Sequence, residues 1–378
     1  MRAKAAALGR WIALALLAGA LHELLFWLWN PRVDVGLPRM AAVESSRHGP
    51  IVIAVGGDTA LTDAALPMLR RKGYAYALAP TLHLFRDADL AVVNLETPVS
   101  TRDTPFPLYK RYVYRMAPEG LSALAWAGID AVSLANNHIK DHGEAGIRAT
   151  LDQLTRAKIL PIGAGLDAKG ARRGLVVTVR GVRVGLLASL EDSPMHSLYM
   201  QSFAWGPRPG CARLELGALR RDIARLRRRA DLVIVMPHWG RSYTGVTALQ
   251  RFYGRAFIDA GADAVIGAHP HVHHPIAVYR HKPIIYSLGN YVFGTPGRRW
   301  LRYGLVAHLV IDSAKHLRRV ELTPLLIQNR LVHFRPEIVD GAEARRMLRK
   351  LREASLPYGA RLRVVRGKAI LDLDGAKN

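Results

Sequence analysis

The chain has 378 residues, half of them apolar, which suffices for one large folded domain with appendages and excludes a wholly disordered protein. Its formal net charge is +24, and its single cysteine, Cys211, can form no intrachain disulfide. Such a charge attracts a polyanion, an anionic lipid surface or an acidic substrate, unless arginine is simply the default surface cation. No recognition motif accompanies it, so nucleic acid is not an expected partner.

In chain order, Arg2, Lys4 and Arg10 precede an apolar run from Trp11 to Trp29. A helix of that length spans roughly 28 Å, about the hydrocarbon thickness of a bilayer. Trp11 at one end, and Trp27 and Trp29 at the other, sit where aromatic rings settle at membrane interfaces. The basic residues before the run predict a single-pass anchor over residues 1–30, with the bulk of the chain extracytoplasmic. Two alternatives stand beside it. Ala18-Gly19-Ala20 has the form of a signal-peptide cleavage site, although the chain stays apolar from Leu24 to Trp29. His22 and Glu23 are costly inside a membrane, and a buried helix of a soluble protein is the second alternative. Residues 31–49 hold prolines, charges and small polar residues without periodicity and read as a linker.

From residue 50 the chain alternates apolar runs with helix-like segments. Ile51–Val55, Leu90–Val93, Ala131–Leu134, Leu232–Val235, Ala264–Ile266 and Pro283–Tyr286 read as buried strands. Gly120–Gly128, Gly143–Ala157 and Thr247–Gly261 read as helices, and Val176–Val179 with Val182–Ala188 as a hairpin. The alternation predicts an α/β domain over residues 50–300. The arginines from Arg220 to Arg229 alternate with apolar residues at helical spacing, as on a solvated helix face. In residues 301–378, Leu305–Ile311 and Arg319–Leu326 read as strands and Ala342–Glu353 as a basic amphipathic helix, which complete or flank the domain.

Six polar pieces follow the predicted strands: Gly57-Asp58, Asn94-Leu95-Glu96, Asn136-Asn137-His138 with Asp141, His238-Trp239-Gly240, Gly267-Ala268-His269-Pro270-His271, and Ser287-Leu288-Gly289-Asn290. Singly, each has a structural explanation. Asp58 can cap a turn, Glu96 can pair with an arginine, Asn137 can shape a loop, and His138 can be a satisfied core histidine. Together, two carboxylates, an amide and several imidazoles at strand ends form an oxygen and nitrogen donor mix that suits zinc, manganese or iron. His269 and His271, two apart, would face one side of an extended segment and reach neighbouring metals. Two such ions can clamp attacking and leaving oxygens and lower the pKa of a bound water.

In this order and over roughly residues 50–295, the pieces resemble the bacterial CapA capsule-synthesis family, associated with poly-γ-glutamate. The resemblance implies a calcineurin-like metallophosphoesterase fold, an α/β/β/α sandwich, often preceded by a transmembrane helix. It implies one or two divalent metal ions (Mn, Zn or Fe) held by Asp58, Glu96, Asn137, His238, His269 and His271, with Glu96 the bridge. His138 would assist leaving-group departure, oriented by Asp141. The implied partners are an anionic polymer or a phosphoester substrate, the membrane and other capsule-synthesis subunits. Two departures from the pattern stand out. Ala60 occupies the histidine position of the usual Asp-x-His, and Ser242 stands where the family shows glutamate. Three functions are therefore expected to compete: a metal-dependent hydrolase, a non-catalytic surface subunit holding an anionic polymer beside a synthase, and a nucleotidase or nuclease.

Overall fold

Runs of branched aliphatic residues long enough to be buried on both faces form the strands, and the chain visits two sheets in turn. The computed structural model describes residues 42–43, 49–101, 110–295 and 301–373, and residues 42–378 group as one unit. The expected span over Trp11–Trp29 lies outside the described residues. Among the described residues, no helix is long and apolar enough to cross a membrane.

The chain first lays down four parallel strands, β1 (Ile51–Ala60), β2 (Leu90–Leu95), β3 (Ala131–Ser133) and β4 (Leu160–Ile162). It then builds the second sheet from β5 (Leu175–Val179), β6 (Val182–Glu191), β7 (Leu232–His238), β8 (Ala264–Ile266), β9 (Ile276–Tyr279) and β10 (Lys282–Ile285). Strands β6, β7, β8 and β10 run parallel in that order, flanked by antiparallel β5 and β9. The chain returns to the first sheet with β11 (Asn290–Phe293), β12 (Tyr303–Ile311), β13 (Leu317–Leu326), β14 (Arg363–Val365) and β15 (Lys368–Asp372). The first sheet runs β14-β15-β13-β12-β1-β2-β3-β4, so the segment beyond residue 300 widens it.

The side-chain alternation of β7 sorts the layers. Ile234 and Met236 join the core cluster that contains Ile53 and Val55 of the other sheet. Val233 and Val235 instead pack with Leu219, Ile223 and Leu226 of helix α1 (Leu216–Arg227) and Phe257 of α2 (Ala248–Asp259). Val55, Asn94 and Ser133 from one sheet and Met236, His238 and Ile266 from the other line a small gap between the sheets, at the end where the site lies. Helix α2 opens on a capping box, Thr247 Oγ1 accepting from Gln250 N–H and Gln250 Oε1 from Thr247 N–H, which fixes where the chain leaves the His-Trp-Gly turn.

At the opposite, amino-terminal end, four aspartates stand immediately before a strand and hold the neighbouring strand by both backbone groups. The Asp89 carboxylate accepts from Val52 N–H, Asp130 from Ala91, Asp231 from Arg183 and Asp263 from Val233, all at 2.8–2.9 Å. The same four residues return their own N–H to the carbonyls of those partners at 2.7–3.0 Å. A buried strand start would otherwise leave an unpaired N–H, which costs about 1–3 kcal/mol.

Candidate metal centre

The polar pieces sit at or just past the carboxyl ends of β1, β2, β3, β7 and β8, where a sheet of parallel strands opens into loops. A register shift between Gly56 and Asp58 bends β1 at this end, and bulges of this kind re-aim side chains. Asp58 N–H donates to the Gly289 carbonyl at 3.0 Å. A Cβ on Gly57 would lie 1.9 Å from that carbonyl oxygen, so glycine is required for the approach that sets Asp58 beside Asn290.

The structure brings Asp58, Glu96, Asn137, His238, His269 and His271 into one cluster. One set of donor atoms, from Glu96, His238 and His269, lies within 4.8 Å of one another; a second set, from Asp58, Glu96 and His271, does the same. Either group could hold a metal ion, and Glu96 is common to both. Glu96 Oε1 lies 3.6 Å from His238 Nε2, 3.9 Å from His271 Nε2 and 4.0 Å from His138 Nε2. His238 Nε2 in turn lies 2.8 Å from Asn137 Oδ1 and 3.0 Å from His269 Nδ1, so the amide joins the first group. Asp58 is fixed by Asn94 Nδ2 at 2.8 Å and by His269 N–H at 3.2 Å, and its Oδ2 lies 3.2 Å from His271 Nδ1.

His269 and His271 do not lie on an extended segment. Their φ angles are +99° and +59°, either side of Pro270, so this loop is kinked rather than pleated. A non-glycine residue at such a φ stores strain that the surroundings must hold. The kink sends the two rings, with centroids 6.1 Å apart, to different donor groups. Asn290 Oδ1 accepts from His271 Nδ1 at 2.9 Å, which turns Nε2 towards Glu96.

Charge and burial fit a cation here. Glu96 is wholly buried, and its Oε1 has no hydrogen-bond partner. Burial, and then the Asp58 charge, hold its pKa well above the carboxylate range. Burial also works to raise Asp58, but the hydrogen bonds and charge of His271 and the Asn94 amide bring it below its ordinary value. Burial and the neighbouring His271 push His269 down to about 3, and burial and His269 push His238 well below its usual range. Imidazoles held neutral, an amide oxygen and two converging carboxylates are the donor set a divalent ion satisfies, and its charge would offset the burial and the Asp58 repulsion that disfavour an ionised Glu96.

His138 and Asp141 form the rim. His138 Nδ1 lies 2.7 Å from Asp141 Oδ2, and its Nε2 faces Glu96. Tyr114 stacks on the His138 ring at 4.1 Å between centroids and donates its backbone N–H to Asp141 Oδ2 at 2.7 Å. Burial pulls the His138 pKa down to about 4. Lys110 completes the group, its ammonium pairing with Asp141 and donating to the Asn137 carbonyl at 2.7 Å.

Several of these contacts have no counterpart in the motif reading. Lys110 and Tyr114 lie in no motif. Asn136 is a motif residue whose role is structural: it bonds the Leu95 carbonyl at 2.8 Å and accepts His138 N–H at 3.1 Å, tying two site loops together. His196, on the helical turn Met195–Tyr199, meets His269 edge-on at 6.5 Å and has Nδ1 2.7 Å from the Glu191 carbonyl. Both departures from the family pattern have a structural setting. Ala60 packs with Tyr114 and Phe293, so an apolar contact stands where a further histidine would be. Ser242 is exposed, and the carboxylate holding the His-Trp-Gly turn is that of Glu191, which accepts Gly240 N–H at 2.7 Å.

These features define an α/β protein of two facing sheets with a buried histidine–carboxylate cluster, able to hold a metal ion, at the strand ends. The chain belongs to the bacterial capsule synthesis protein PGA_cap family, whose model matches residues 52–295. It is 27% identical over 307 residues to the capsule biosynthesis protein CapA of Bacillus anthracis, covering 79% of this chain and 72% of that one. It is 29% identical over 293 residues to the PGA biosynthesis protein CapA of Bacillus subtilis, covering 77% and 74%. A probable polyglutamine synthesis accessory protein of Mycobacterium tuberculosis is 37% identical over 216 residues, covering 54% and 55%.

Proposed function

We propose that this protein acts in capsule or poly-γ-glutamate biosynthesis as a membrane-anchored, extracytoplasmic, metallophosphoesterase-like hydrolase. The observation that carries the reading is Glu96 Oε1, a buried oxygen without a hydrogen-bond partner, faced by the Nε2 atoms of three histidines. One or two divalent ions, for which Mn, Zn or Fe suit the donor set, would supply Lewis acidity and an activated water. Asp58, Glu96 and His271 would hold one ion and Glu96, Asn137, His238 and His269 the other. His138, oriented by Asp141, is placed to move a proton at Nε2 to or from a leaving oxygen. Lys110 holds Asp141 and the Asn137 backbone in register with it. The test pairs metal analysis with turnover of p-nitrophenyl phosphomonoesters and diesters. Activity should track bound metal and vanish in chelator and in His269→Ala; activity retained in chelator overturns the reading.

A second reading, a non-catalytic subunit that holds an anionic polymer beside a synthase, draws support from the apolar packing at Ala60 and the exposed Ser242. Stoichiometric metal without turnover of any ester, together with poly-γ-glutamate binding, would favour it.

A further inference from the structure

The arginines of α1 are more than a solvated face. The carboxylate of Asp222, buried within this helix, pairs with Arg172 from one side and Arg225 from the other. Around that pair runs an open groove of about 600 Å³ between the helix and residues 168–174. Lys169, Arg172, Arg173, Arg225, Arg228 and Arg229 line it, and Asp222 is its one acidic lining residue. Lys169, Arg173, Arg228 and Arg229 carry no ion pair among the described residues. The basic hollow around Arg227, Lys282 and Lys315 differs, because Asp231 and Asp263 neutralise those cations. None of the groove's cations belongs to the metal cluster.

We propose that this groove binds a polycarboxylate chain of the poly-γ-glutamate type, an inference that rests on the polymer context of the proposed function. Guanidinium groups receive carboxylates through paired N–H donors. Cations spread along a groove reward a ligand that offers one carboxylate per residue, because each further contact is made within an already bound chain. Asp222 also holds two of the guanidinium groups in place beforehand, which lowers the ordering cost of binding.

The experiment measures binding of poly-γ-glutamate to the full chain in detergent at low and high salt. Arg173→Glu/Arg228→Glu/Arg229→Glu is compared with wild type and with Arg345→Glu/Arg349→Glu/Arg352→Glu on the helix Gly341–Ser355. The groove variant should bind at least about tenfold more weakly at about 50 mM salt, and wild-type binding should weaken as salt rises. If the glutamate variant fails to fold, Arg173→Gln/Arg228→Gln/Arg229→Gln decides. Unchanged affinity in the groove variant, or an equal loss in the control, overturns the proposal. So does a groove effect confined to phosphatidylserine vesicles. Metal content and ester turnover are measured on the same samples. Groove-dependent polymer binding without any turnover sinks the hydrolase reading and leaves this site standing, whereas metal-dependent turnover with groove-independent binding does the reverse.

Discussion

Glu96→Gln separates the two demands placed on the site, because it keeps the shape of the side chain while it removes the ionisable group and puts an amide donor in place of one oxygen. In metal-free protein the Glu96 carboxylate is wholly buried beside Asp58, with Oε1 unpaired. An unsatisfied buried acceptor costs about 1–3 kcal/mol, and more when charged. The variant should therefore be more stable than wild type in chelator, by about 1–4 °C in Tm for a folded unit of this size. Metal reverses the order. Binding at about a hundred times Kd stabilises wild type by about 2.7 kcal/mol. Glu96 supplies an oxygen to both donor groups, so the variant should lose most of that increment. Thermal unfolding followed by fluorescence, in chelator and then against Mn or Zn, gives two curves that should cross. A variant less stable than wild type in chelator, or one with an undiminished metal-induced shift, would refute the assignment of Glu96 as the shared donor.

Three further outcomes are expected. Asp141→Asn leaves the Lys110 ammonium beside a neutral amide and should cost about 3–5 kcal/mol in urea denaturation; Lys110→Met should cost less, because Asp141 keeps His138 and the Tyr114 N–H. Gly57→Ala puts a carbon 1.9 Å from the Gly289 carbonyl oxygen and should lose about 2–4 kcal/mol together with metal binding, whereas Gly245→Ala, with nothing within 4 Å, should be neutral in both assays. Burial raises the Asp130 pKa from 3.8 to about 6. The folded protein then binds more protons than the unfolded chain between those values, so stability falls as pH rises through that window. Asp130→Asn keeps an acceptor for Ala91 N–H and removes the penalty. Its stability relative to wild type should grow by about 1–3 kcal/mol between pH 4 and 7, and a flat difference across that range would refute the assignment.

Much of the fold was legible because buried strands are contiguous apolar runs. The expected Ala264–Ile266 matches β8 at both ends, and the hairpin pairs Val179 with Val182 as its Arg180-Gly181 turn suggests. Other elements were hidden for identifiable reasons. Strand β11 begins at Asn290, inside a stretch whose Gly-Asn pair signals only a turn, and it depends on pairing with Asp58–Ala60. The β14–β15 hairpin is rich in basic residues and masks its alternation, because Arg363 spends its charge on Asp372 across the strands. Within the site, the order of the pieces was visible, but the kink at His269–His271 was not, since left-handed backbone at histidine is imposed by tertiary contacts. Lys110 was invisible because its partner lies 31 residues away, with no local pattern linking them. The aspartates before four strands were written in the chain; their meaning appears only when the neighbouring strand's N–H is seen to point at them.

Those aspartates divide the molecule's labour. Each binds donor and acceptor of a single residue on the adjacent strand, so it pins one pair of strands independently of the rest. Alignment of the parallel strands is thereby secured at the end remote from the histidines. The loops at the opposite end are thus relieved of keeping those four strand pairs in step. They can kink or exchange side chains, as His269 and Ser242 illustrate, while the scaffold beneath stays in register. A lineage built this way can retune its chemistry by editing loops, provided the four carboxylates stay where they are.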